Sequence, residues 1–111
     1  MAYDEEVAVR IRALVGEQAG LTEQRMFGGL AFLIHGNMAV SASSAGGLLL
    51  RVPPEQTADL AGRPHAQRFA MRGREMDGWL RVDAAGLDAE RDLQRRVSLG
   101  VAYASQLPPK H

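Results

Sequence analysis

Arg25-Met26-Phe27-Gly28-Gly29-Leu30 leads directly into Ala31 to Ile34, then His35-Gly36-Asn37, then Met38 to Ser43. Adjacent glycines at the start of a strand mark backbone that must bend or be approached closely, because neither has a Cβ to forbid it. Gly36-Asn37 suits a two-residue hairpin with glycine at the first central position. This stretch therefore decides the fold in favour of antiparallel strands. Met26 and Phe27 are its expected core anchors, Gly28 and Gly29 let the backbone turn into the hairpin, and Arg25 is its one ambiguous member.

Downstream, Ser44-Ala45-Gly46-Gly47 marks a second turn, and Leu48 to Val52 is a third strand whose unbroken apolar run implies cover on at least one face. Pro53-Pro54 stops it, and Pro54 opens a short helix through Leu60 to Gly62. Two more strands follow, Gln67 to Met71 and Glu75 to Val82, around a turn at Arg72-Gly73-Arg74. In the second, Met76, Gly78, Leu80 and Val82 share one face while Asp77, Trp79 and Arg81 share the other. Gly78 is expected at a bulge or beneath a close neighbour. Asp88 is the expected cap of a final helix reaching about Gln106, before Pro108-Pro109. Leu93, Val97, Gly100, Ala104 and Leu107 form its core stripe, and Leu99 and Tyr103 widen the apolar surface to one side.

Upstream, Asp4 is the expected cap of a helix with Glu5 and Glu6 in its first turn, where the dipole favours acids. Val7, Ile11, Leu14 and Val15 lie at helical spacing, and the helix should stop between Gly16 and Gly20. The elements add up to an α+β, two-layer domain. Its antiparallel sheet has about five strands, flanked by an N-terminal and a long C-terminal helix, with a short inserted helix. One sheet face is expected to stay more polar. Which face each terminal helix covers is open.

The 111 residues suffice for one domain, spanning the whole chain, and a chain of this size buries roughly 65% of its unfolded surface without staples. No cysteine is present, which excludes disulfides, thiolate zinc sites and a cysteine nucleophile. The acidic start is unlike a signal peptide, and no run approaches the ~18 apolar residues of a membrane span. A cytoplasmic protein with no membrane contact is the expectation. Formal net charge is zero, so bulk electrostatics favour neither nucleic acid nor anionic lipid. The charge is uneven, however: Arg63, Arg68, Arg72, Arg74 and Arg81 face only Glu75 and Asp77 in the same segment.

The run Arg25 to Phe32, the glycine hairpin, Leu50-Arg51-Val52 and Met76-Asp77-Gly78-Trp79-Leu80-Arg81-Val82 together resemble the TfoX N-terminal domain family, over about Thr22 to Leu107. The resemblance implies an antiparallel sheet flanked by helices, similar to secretion-chaperone-like domains, often self-associating. It makes Arg25, Met26, Phe27, Gly28, Gly29, Gly36 and Gly78 a structural signature. In the founding TfoX/Sxy regulators of natural competence this domain precedes a second, helical one, and the whole acts beside a cyclic-AMP-responsive transcription factor. No such second domain follows within these 111 residues. What the resemblance implies here is fold and protein-contact work, with transcriptional regulation as the suggested setting.

The residues themselves assemble no catalytic set. Ser41, Ser43, Ser44, Ser98 and Ser105 lack a nucleophile-elbow pattern. His35, His65 and His111 lack the short paired spacing of metal ligands. Gly28-Gly29 precedes a strand, not a helix, with no Lys-Ser/Thr after it, so the phosphate cradle is missing. Glu75 and Asp77 are expected to pair across strands with Arg68 or Arg72. The reading is a non-enzymatic regulatory or adaptor domain, without cofactor or metal, acting as a homodimer and on an unidentified protein partner. Its candidate interaction surface is Arg68, Arg72, Trp79, Arg81, Leu99 and Tyr103. The alternative is a small-ligand or nucleic-acid binding module on the Arg-rich sheet surface, although six aromatics leave few stacking platforms.

Overall fold

Three two-position hairpins set the architecture. The computed structural model describes residues 5–26, 28–43 and 46–109. Strands β1 (Leu21–Met26), β2 (Gly29–Ile34), β3 (Asn37–Ala42), β4 (Leu48–Arg51), β5 (Ala66–Met71) and β6 (Arg74–Val82) form one antiparallel sheet. Their order is β1-β2-β3-β4-β6-β5, six strands where about five were expected. The additional one is β1: Thr22, Glu23, Gln24 and Arg25 show no apolar alternation, and pairing with β2 makes them a strand.

The signature run is therefore itself a hairpin, with Met26 opposite Gly29 and Gly28 at φ +77° between them. A Cβ on Gly29 would collide with the Ala42 carbonyl oxygen of β3, so glycine is required there by close approach. Phe27 lies outside the described residues. Met26 is half-buried on the sheet face away from the main core, so it is no anchor of that core.

The next turn falls one position earlier than expected. Ile34 pairs with Asn37, and His35 (φ +50°) and Gly36 (φ +85°) are both left-handed, the type I′ pattern that matches strand twist. Asn37 belongs to β3 because its side chain is buried and its Nδ2 donates to the Pro108 carbonyl at 2.9 Å. Arg72 (φ +54°) and Gly73 (φ +78°) repeat the pattern, which moves Arg74 into β6.

Helices α1 (Glu5–Val15), α2 (Thr57–Ala61) and α3 (Glu90–Gln106) complete the chain. Val7, Ala8, Ile11 and Val15 of α1 and Leu93, Val97 and Ala104 of α3 share one core with Leu30, Phe32, Ile34, Val40, Ala42, Leu48, Leu50, Leu80 and Val82. Both terminal helices thus cover the same face. Gly100 lets α3 seat closely, since a Cβ there would lie 2.5 Å from the Ala39 carbonyl oxygen and 2.6 Å from Leu50 Cδ1. Leu107 is only half-buried, with an extended backbone that ends α3 before Pro108.

Of the two expected caps, one is untested and one changes. Asp4 lies outside the described residues, and α3 begins after Ala89, not Asp88. Residues Ala84–Leu87 form a 3-10 turn that buries Leu87 and holds Asp88 in helical geometry, leaving the extended N-cap conformation to Ala89.

The inserted helix is pinned by one buried hydroxyl. Thr57 Oγ1 donates to the Pro54 carbonyl at 2.8 Å and accepts the Gly78 N–H at 2.7 Å. Gly78 sits at φ +90° in a bulge, where β5–β6 pairing jumps from Arg68 opposite Leu80 to Phe69 opposite Met76. Thr57→Val should cost about 1–3 kcal/mol, because it strands a buried N–H. Gly29→Val should cost more than about 3 kcal/mol by overpacking against β3. Urea unfolding of both variants, with the denaturant slope unchanged, checks these values.

Candidate interaction surface

The sheet face that no helix covers among the described residues has an apolar centre. Side-chain alternation places Ala31, Leu33 and Met38 together there, buried, with Met26, Leu49 and Trp79 packed around them. All six come from strands. The register explains the grouping, with Leu33 opposite Met38, Leu49 opposite Arg81, and Arg51 opposite Trp79. This is the more polar of the two faces, carrying Ser41, Arg51 and Arg81 beside the apolar cluster, yet β2 and β3 are buried throughout.

Arg51 links two aromatic rings across this surface. Its guanidinium carbon lies 5.1 Å from the Trp79 ring centroid and 6.0 Å from that of Tyr103, within range of cation–π attraction. Trp79 packs on this face, whereas Leu60 of the inserted helix packs against the main core on the other. Arg81 Nη1 donates to Ser43 Oγ at 3.5 Å, and buried Ser41 donates to the Leu30 carbonyl at 3.1 Å.

The six residues singled out from the sequence do not form one patch. Trp79 and Tyr103 meet through Arg51, and Arg81 shares the face of Trp79 two positions along β6. Arg68 instead pairs with Asp77, as cross-strand pairing suggested, while Arg72 is exposed in its turn. Leu99 borders a separate groove between α2 and α3, with Leu60, Arg63, Arg95 and Arg96. There burial lowers the pKa of Arg96, with repulsion from Arg95 and Arg63 acting the same way and Asp92 opposing. Arg51, part of the Leu50-Arg51-Val52 stretch of the family resemblance, has no local signal for this role, because its partners come from β6 and α3 and nothing local places β6 beside β4.

On the other side of the sheet, Glu23 of β1 accepts a bidentate pair from Arg12 at 2.7 and 2.8 Å. That hydrogen-bonded pairing holds the Glu23 carboxyl below its ordinary value. His35 and His65 are exposed at left-handed turn positions. Among the described residues, no group of three or more His, Asp or Glu side chains could hold a metal ion, and no helix is long and apolar enough to cross a membrane.

With this geometry in place, comparison with known families is decisive for one point. The model of the TfoX N-terminal domain matches residues 13–104, and the chain belongs to that family. Membership points to a regulatory, competence-associated kind of domain, and the family is not a known enzyme family. Neither a curated protein nor a solved structure matches the chain.

Arg51→Met should remove the contact between the two rings at a cost of no more than about 1 kcal/mol, as expected for a partly exposed cation–π pair. Trp79 is the sole tryptophan, so a shift in its fluorescence emission with a nearly unchanged unfolding midpoint is the expected result.

Proposed function

We propose that this chain is a non-enzymatic regulatory or adaptor domain, acting in transcriptional control through protein contacts and self-association. One observation carries the reading: an apolar sheet centre made of Leu33, Met38, Leu49 and Trp79, with no helix among the described residues packed on it. Leu49 and Trp79, half-buried over the buried Leu33 and Met38, are the part of it open to a partner, and aromatic and arginine side chains dominate binding hot spots. Trp79 is one such side chain, and Arg51, Arg81 and Tyr103 supply others at its margin. The complementary partner is a protein that presents apolar side chains with an acidic rim to meet Arg51 and Arg81.

Leu49→Glu tests the surface, because Leu49 is only half-buried and the change reverses its character without opening the main core. The purified chain should show concentration-dependent self-association by sedimentation. The tagged chain should retain a protein partner from its own cell that Leu49→Glu loses, with the variant still cooperatively folded. A partner retained equally by both forms would move the contact off this face. Monomer at every concentration together with no retained protein overturns the reading. The Arg-rich nucleic-acid alternative has less support, since Arg68 is engaged by Asp77. It predicts salt-sensitive oligonucleotide binding that Arg68→Ala plus Arg72→Ala abolishes.

A further inference from the structure

We propose that two copies of this chain join along β1, edge to edge and antiparallel, with Glu23 of each copy opposite Arg25 of the other. The proposal rests on the self-association reading above and specifies its interface.

Among the described residues, β1 is one of the two edges of the sheet and pairs with β2 alone. His35 N–H donates to the Gly20 carbonyl at 2.9 Å, so Gly20 and His35 are a hydrogen-bonded pair in the β1–β2 register. Hydrogen-bonded and non-hydrogen-bonded pairs alternate along antiparallel strands. Thr22, Gln24 and Met26 therefore direct their backbone groups to β2, whereas Leu21, Glu23 and Arg25 present N–H and C=O outward. The strand has no proline, lysine or bulge to blunt this edge, and its two charges cancel.

Only odd-numbered residues can form the hydrogen-bonded pairs of a new antiparallel ladder. Centred on Glu23, the ladder would oppose two carboxylates. Centred on Gln24, it sets each Glu23 against the partner's Arg25, with both residues hydrogen-bonded through the backbone. Glu23 is already oriented by Arg12, and Arg25 is exposed and makes no hydrogen bond or ion pair with another described residue. Opposite charges directly across strands stabilise and like charges destabilise.

The other edge is poorly suited to self-pairing. β5 carries Arg68 and leads into Arg72 and Arg74, so two copies of it would bring cations together. Pairing β1 with a second copy's β5 is heterologous and would propagate instead of closing. Pairing β1 with β1 closes after two copies and gives one sheet of twelve strands, six from each. The two open apolar faces then lie on the same side, which makes a single broad surface for the protein partner.

Cysteine cross-linking and charge exchange test the register. The chain has no cysteine, so Gln24→Cys introduces the only thiol, on the two-fold axis, in a non-hydrogen-bonded pair whose Cβ atoms approach to about 4.5–5.5 Å. Oxidation should give a covalent dimer for Gln24→Cys and little for Thr22→Cys, which would face the partner's Met26. Arg25→Glu and Glu23→Arg should each weaken self-association about tenfold or more by converting two attractive pairs into repulsive ones. An equimolar mixture of the two should restore a heterodimer, which also shows that both variants are folded. A wild-type dimer indifferent to both charge changes, together with a Gln24→Cys variant that oxidation leaves uncross-linked, overturns this interface while leaving self-association standing. A wild-type chain that is monomeric at every concentration removes both.

Discussion

The seating of α3 on the sheet at Gly100 is the contact on which the rest of the molecule depends. Because Gly100 has no side chain, the helix lies directly over the Ala39 carbonyl and Leu50. A bulge assists: the register passes from Phe32 opposite Val40 to Leu33 opposite Met38, and the supernumerary Ala39 joins the main core. With α3 fixed over β3 and β4, α1 packs beside it on the same face. Leu93, Val97 and Ala104 meet Val40, Leu48 and Leu50 there, and the sheet's second face is left without a helix.

That asymmetry links packing to function. A six-stranded sheet needs apolar residues in its central strands whichever side the helices take, because Val, Leu and Met side chains there shield one another and the ladder. Here β2 and β3 are buried on both faces, although only one face is covered by helices. The apolar centre of the open face is thus partly structural, supporting neighbouring strands, and partly a surface offered to other molecules. Arg51 sits at that boundary. Its guanidinium bridges Trp79 and Tyr103 and keeps a charge beside two aromatic rings at modest solvation cost.

Much of the scaffold is readable from local patterns. The helix at Glu5–Val15, the hairpin glycines, the proline-initiated insertion and the stripe Leu93, Val97, Gly100 and Ala104 each follow from period or backbone chemistry. Three features are hidden for a physical reason. β1 is polar and lacks alternation, so only pairing with β2 reveals it. The turn at His35-Gly36 requires a histidine with positive φ, which tertiary burial of Asn37 imposes by drawing that residue into β3. The N-cap of α3 moves to Ala89 because burial of Leu87 dictates the preceding turn. The candidate surface is less legible still, since Arg51, Trp79 and Tyr103 are separated by tens of positions and meet only through β4–β6 pairing and the path of α3.

By itself the sequence determined an α+β chain of antiparallel hairpins with two terminal helices, and the family to which it belongs, because these rest on short-range periodicity and on glycines where a Cβ is excluded. Tertiary structure alone decided that both helices share a face, that β6 lies between β4 and β5, and that β1 stands at an edge with outward backbone groups. Those outcomes depend on strand order and register, which arise from packing between segments far apart in the chain. Arg25 shows the difference. In the sequence it is the ambiguous member of a glycine motif, and in the folded sheet it is an exposed charge on an edge strand, two positions from the opposite charge of Glu23.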